Sequence, residues 1–235
     1  MKKNILIGDS QTHYLAKSLK ETIHSIDYFK DSYFEDRTIT KMVNREYTNI
    51  QYKFNILDNN LDFSIYAFPG KSAYHLDYNK QEILNNTNHE DSIVFVWMGW
   101  IDINSWLTEY RNPDKVVNNY LNNAIKYFNK NKLVFITPVP PPLVIDRDFG
   151  HTKAKLSGDD EIDLNFIKES FFERRKYYDL FKYELNKQCE THNLTYVNLK
   201  NIVSSDLYNG KMMYDSYHWQ PEGYHQVIDF MYNYD

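Results

Sequence analysis

A chain of 235 residues with a formal net charge of −5 and a pI near 5.9 is long enough for one substantial core and carries no basic footprint for nucleic acid. No apolar run approaches the roughly 20 residues that span a bilayer, and the single cysteine, Cys189, excludes an internal disulfide. Two lysines and a short apolar run ahead of Gly8-Asp9 do not make a secretion signal, so the expectation is a reduced, cytoplasmic protein with neither a nucleic-acid nor a membrane partner.

In chain order, the apolar run Asn4 to Ile7 predicts a strand, and apolar residues at helical spacing from Leu15 through Leu19 to Ile23 predict a helix over about 12–28. Further strands are expected at Phe63 to Phe68, Ser92 to Met98, Lys132 to Pro138 and Leu194 to Leu199, with helices over about 72–86, 113–130 and 162–192 between them. A final helix is expected to open at Pro221, a residue suited to a first turn, and to run to about Tyr232. Strands alternating with helices, without a Pro/Gly/Ser-rich linker, predict one domain over 1–235. Its expected architecture is a three-layer α/β/α sandwich around a mainly parallel, flavodoxin-like, five-stranded sheet. Two stretches interrupt the alternation: residues 30–62, with a further possible strand at Ile50 to Phe54, and residues 138–160, which begin with Pro138, Pro140, Pro141 and Pro142. Long connections of this kind are often binding loops or lids, and the second follows a strand, where α/β proteins place ligands.

Two short segments at opposite ends of the chain carry the chemistry: Gly8-Asp9-Ser10-Gln11-Thr12 and Asp215 through Tyr224, which reads DSYHWQPEGY. Ser10 sits where a strand gives way to a helix, a turn that lifts a side chain above the carboxyl edge of a sheet beside unpaired backbone N–H groups. A serine hydroxyl is a weak nucleophile at neutral pH, so acyl transfer requires a base within reach and a group that orients the base. His218 and Asp215 supply those types, and their close spacing lets both project from one loop ahead of the last helix.

Four blocks, in order, resemble the SGNH hydrolases, the GDSL esterase/lipase superfamily. They are Gly8-Asp9-Ser10, Phe68-Pro69-Gly70, Gly99-Trp100-Ile101-Asp102 and Asp215-Ser216-Tyr217-His218. Of only seven glycines in the chain, Gly8, Gly70 and Gly99 each fall where a candidate strand ends, and Gly223 lies beside the last block. The resemblance implies that Ser10 is the nucleophile, His218 the base and Asp215 its orienter. It also implies an oxyanion hole from the backbone N–H groups of Ser10 and Gly70 together with an asparagine side chain from the third block. There the pattern departs: the family commonly has G-x-N-D, and Ile101 stands where the asparagine is expected. Loss of one oxyanion donor costs roughly 10²–10³ in rate where that donor matters. Asn104 is the nearby candidate substitute, and Asp102 is expected to support its loop by hydrogen bonding rather than to take part in chemistry.

The remaining candidates carry less. Gln11, Trp100 and Trp219 are candidate substrate-binding residues, His13 and Trp106 candidate pocket-lining residues, and Trp97 a core residue. Cys189 lies inside a predicted helix with no motif around it, and His218 with His225 lacks the further ligands of a metal site; no metal or organic cofactor is expected. The 21 Tyr and four Trp come with abundant Lys, Asn and Ile, a bias that nucleotide composition alone produces. The expected activity is serine-dependent hydrolysis of a small-molecule or glycan ester through an acyl-enzyme, with small acyl groups such as acetyl removed from a carbohydrate. Transfer of the acyl group to a sugar hydroxyl from the same site, and a catalytically weak glycan-binding role, are the alternatives.

Overall fold

The computed structural model describes residues 3–22, 50–56, 61–67, 72–74, 76, 92–104, 112–141, 171–209 and 218–234. Its elements in order are β1 (Lys3–Gly8), α1 (Ser10–Thr22), β2 (Ile50–Ile56), β3 (Leu61–Ala67), β4 (Ser92–Trp97), α2 (Trp100–Asn104), α3 (Pro113–Tyr127), β5 (Leu133–Ile136), α4 (Phe171–His192), β6 (Thr195–Val197), α5 (Ser205–Tyr208) and α6 (Pro221–Tyr232). Short 3₁₀ turns at Lys130–Lys132 and Leu199–Asn201 precede β5 and follow β6.

The sheet runs β2-β3-β1-β4-β5-β6. From β3 to β6 every pairing is parallel, which gives the five-stranded, flavodoxin-like order expected from the alternation. The possible strand at Ile50 to Phe54 is real and longer, and as β2 it adds an antiparallel sixth strand at the edge beside β3.

Both faces of the sheet are buried, as a parallel sheet requires. Successive side chains of a strand point to opposite faces, so Leu6, Phe95 and Trp97 pack with Leu15, Ala16, Val227 and Met231 of α1 and α6. Ile5, Ile7, Val94 and Val96 pack on the other side with Val116, Tyr120, Leu185 and Cys189 of α3 and α4. That makes the three layers.

Local signals set the helix ends. Asn112 caps α3 by accepting from the Lys115 N–H at 3.2 Å, with Pro113 in the first turn. Pro221 opens α6 as its fixed φ predicts. The first helix begins earlier than its apolar spacing indicates, at Ser10, because Asp9 caps it twice. The Asp9 carbonyl accepts from the Thr12 and His13 N–H groups at 3.1 and 3.3 Å, and its Oδ1 accepts from the Gln11 N–H at 3.0 Å. Among the described residues no helix is long and apolar enough to cross a membrane.

Residues 23–28 of the expected first helix, all of the expected 72–86 helix beyond residue 76, and the stretch from 162 up to Phe171 lie outside the described residues. The excursion over 30–62 is described only at β2 and the start of β3, and that over 138–160 only through residue 141.

Candidate active site

Three strand ends converge at the carboxyl edge. Gly8 at the end of central β1 is in register with Ala67 of β3 on one side and Trp97 of β4 on the other. The segments that follow β1 and β4, Asp9-Ser10 and Met98-Gly99-Trp100, therefore leave the sheet side by side. Two glycines permit the crowding. A Cβ at Gly8 would fall on the Thr12 side chain and lie 2.7 Å from the Trp97 carbonyl. Gly99 has φ of +117° and stands where a Cβ would meet Phe181 at 2.7 Å and Pro138 at 2.8 Å.

Ser10 is the first residue of α1 and is half-buried. Three contacts around it carry the chain toward His218. Tyr14, one helical turn further on and hence on the same face of α1, stacks on the His218 imidazole with ring centroids 3.7 Å apart and planes 16° from parallel. Gln11 accepts a 2.8 Å hydrogen bond from the Tyr224 hydroxyl, which in turn accepts from the Trp219 N–H at 3.1 Å, directly beside His218. Asp9 Oδ2 accepts from the Trp100 N–H at 3.0 Å, and the Trp100 indole lies 6.1 Å from the imidazole at 20°. Segments more than 200 positions apart in sequence are thus fixed together, and the His218 ring, 2% exposed, sits beside the turn that carries Ser10.

Two buried carboxyls lock the frame. Asp102, in α2, accepts from the Ser72 hydroxyl through Oδ1 and from the Ala73 N–H at 2.8 Å through Oδ2, and Ser72 Oγ accepts from the Tyr74 N–H at 3.0 Å. It therefore ties α2 to residues 72–74, whereas the expected support was of its own loop. Burial raises the Asp102 carboxyl above its ordinary range against the opposing hydrogen bonds from Ser72 and Ala73. Burial likewise pushes Asp9 up to about 7, with the N–H groups of Gln11 and Trp100 working the other way and the nearby Asp102 charge adding to the rise.

Gln11 and Trp219, expected on a substrate-facing surface, are instead 1% and 0% exposed. Gln11 spends its amide oxygen on Tyr224, and the Trp219 indole packs between Trp97 and Tyr224 at centroid distances of 6.0 and 5.9 Å. Both hold the His218 and Ser10 segments together. Trp100 is buried beside His218, and Trp97 is a core residue whose Nε1 donates to the Thr137 carbonyl at 3.0 Å. His13 is half-buried, edge-on to Tyr14 at 5.6 Å. Cys189 is buried in α4, its thiol pushed up to about 12 by burial, which removes it as a nucleophile. Asp215, Gly70 and Trp106 lie outside the described residues, and so do the side chains of Ile101 and Asn104, whose backbones belong to α2. Among the described residues no group of three or more His, Cys, Asp or Glu is placed to hold a metal ion.

Sequence reasoning missed Tyr14, Ser72 and Tyr224. Tyr14 had a signal, its place one turn beyond the candidate nucleophile; Ser72 and Tyr224 had none without the fold.

A five-stranded parallel core with a serine turn and a buried histidine at its carboxyl edge defines a three-layer α/β protein of flavodoxin-like strand order. No protein-family model matches the chain, and no curated protein is similar in sequence. Solved structures are similar in fold. A GDSL-like lipase from Bacteroides thetaiotaomicron superposes with a TM-score of 0.57 at 13% identity, covering 98% of this chain and 85% of that one. A lipase/acylhydrolase from Enterococcus faecalis gives 0.54 at 14% identity, over 98% and 96%. A catalytic mutant of an acetylxylan esterase from Geobacillus stearothermophilus gives 0.53 at 10% identity, over 97% and 90%. The chain has the SGNH-hydrolase fold.

Proposed function

We propose that the chain is a serine-dependent acyl-ester hydrolase that removes small acyl groups, acetyl above all, from a carbohydrate or other small ester. The observation that carries the reading is the stack of His218 on Tyr14, one turn from Ser10, at the carboxyl edge of an SGNH-type sheet. Ser10 Oγ attacks the acyl carbon as its proton passes to His218, and the carbonyl π electrons move onto oxygen. Collapse of that oxyanion expels the alcohol, which takes the proton from His218. Water, activated by the same imidazole, then attacks the acyl-enzyme and releases the acid. Asp215 is assigned to orient the imidazole and stabilise its cationic form. The N–H groups of Ser10 and Gly70 are assigned to the oxyanion, with Asn104 as the third donor in place of an asparagine at position 101. No metal or organic cofactor enters these steps. Acetyl on a sugar is favoured because an acetylxylan esterase is among the proteins of similar fold.

Ile101 favours a second reading, a catalytically weak glycan-binding protein, since its side chain cannot donate to an oxyanion. Capture of the acyl-enzyme by a sugar hydroxyl instead of water would make the same site a transferase.

Fluorophosphonate labelling with mass mapping, alongside p-nitrophenyl acetate turnover, tests the assignment. Label is expected on Ser10, and turnover is expected to fall by about 10³-fold or more in Ser10→Ala and in His218→Ala. A folded parent protein that neither labels nor turns over, yet binds glycans as well with Ala at position 10, would leave the second reading standing.

A further inference from the structure

The least expected feature of the site is the face-to-face contact between Tyr14 and His218, and it deepens the esterase reading on which it rests. A base that serves both halves of an acyl transfer must deliver the same ring nitrogen first to the serine hydroxyl and then to the leaving oxygen, so the plane of its ring is part of the machinery. A buried histidine is held in one plane by its hydrogen bonds, by packing on its faces, or by both. Here one face has a defined support: the Tyr14 ring at 3.7 Å and 16°. Tyr14 and Ser10 are carried by the same helix, one turn apart, so the hydrogen bonds of α1 fix their separation. Trp100, tied by its N–H to Asp9 next to the nucleophile, lies nearly parallel to the same imidazole at 6.1 Å and 20°.

We propose that Tyr14 is a positioning residue for His218. Its ring is the platform that keeps the imidazole in the plane from which it reaches Ser10, and because platform and nucleophile share a helix, the two move together. The tyrosine exchanges no proton and touches no substrate atom in this role. What the platform contributes is the ring face, which is also the side of an aromatic that attracts a cation as positive charge develops on the imidazole during proton transfer.

Three proteins test this: the parent, Tyr14→Leu and Tyr14→Phe. The Leu variant is expected to lower kcat for p-nitrophenyl acetate roughly 3- to 30-fold, the range a lost cation–π contact allows, with KM within about twofold of the parent because the platform acts on the step rather than on binding. The Phe variant keeps the ring face and is expected to restore kcat. Independently of turnover, the His218 Cε1–H resonance, assigned by its disappearance in His218→Ala, is expected upfield in the parent and Phe variant, shielded by the ring beneath it, and further downfield in the Leu variant. A Leu variant with unchanged kcat and an unmoved resonance overturns the proposal. So does a Phe variant that falls as far as Leu, which would put the effect in the hydroxyl. If the parent shows the Tyr14-dependent resonance but neither fluorophosphonate labelling nor turnover, the positioning of His218 by Tyr14 stands and the esterase reading fails. If labelling at Ser10 depends on His218 while the resonance ignores Tyr14, the esterase reading stands and the platform is lost.

Discussion

On one side of Ser10, toward α6, the site is assembled from rings and neutral hydrogen bonds: Tyr14 on His218, Gln11 to Tyr224, Tyr224 to the Trp219 N–H. On the other side, toward α2, it is assembled from buried carboxyls, with Asp9 holding the start of α2 and Asp102 holding the loop after β3. The two halves serve different ends. On the proposed reading Ser10 and His218 must stay in register while a proton moves between them, and the ring contact and the neutral hydrogen bonds of this side hold their two segments together. On the same reading the carboxyl side holds backbone N–H groups still, and a carboxylate gathering two donors is a strong short brace, at the cost of a buried charge that senses pH.

Removing a brace from the carboxyl side is expected to have the largest effect on stability. Asp102→Ala leaves the Ser72 hydroxyl and the Ala73 N–H buried without their acceptor, a loss of about 2–4 kcal/mol. Asp102→Asn keeps one acceptor and turns an N–H donor toward the other partner, so its cost is expected to fall between parent and Ala. Urea unfolding of the three proteins gives the order. Equal stability of Ala and parent would mean the clasp does not hold the loop.

Asp9 gives the carboxyl side a pH dependence of its own. Its carboxyl is raised to about 7 in the folded chain from the ordinary 3.8. The native state therefore holds a proton across a window in which the unfolded chain has released it. The stabilisation this brings is fully present below pH about 4, declines as pH rises, and is gone above about 7. Within the window the stability of the parent relative to Asp9→Asn is expected to fall by up to about 1.4 kcal/mol per pH unit. Asp102, also raised, adds a slope of the same sign to both proteins, and because its charge is one of the causes raising Asp9 the difference reports Asp9 together with that coupling. Denaturant midpoints at several pH values between 4 and 8 measure it, and a difference that stays flat would mean the Asp9 carboxyl titrates at its ordinary value.

How much of this was legible in the sequence follows from which contacts are local. The strands of the parallel core read out because both of their faces are buried, so runs such as Ile5 to Ile7 and Ile93 to Met98 are continuously apolar. Pro221 marked the start of α6 to the residue. The start of α1 did not read out, because Asp9 caps it with a carbonyl and a carboxylate at once and the helix begins before its apolar stripe does. The block positions of Ser10, His218 and Asp102 were visible as motifs. Gln11 and Trp219 were visible as polar and aromatic neighbours of those motifs, but not the direction in which they point, since that depends on Tyr224 arriving from the far end of the chain. Tyr14 lay in between: its spacing from Ser10 put it on the right face, and only the fold put His218 on top of it.

The smallest expected effect probes that long-range tie. Tyr224→Phe removes one hydroxyl that donates to Gln11 Oε1 and accepts from the Trp219 N–H, leaving the ring and its packing against Trp97 in place. The backbone donor at Trp219 and the acceptor at Gln11 lose a partner in a buried setting, which costs about 1–2 kcal/mol. The two halves of the site should then part ways: stability drops while the pH slope from Asp9 is untouched, because the carboxyl side makes none of these contacts. A Tyr224→Phe protein that changes the pH slope as well would show that the ring-built and carboxyl-built sides act as one unit, and the comparison between them would have to be redrawn as a single buried network running from Tyr224 through Gln11 and Asp9 to α2.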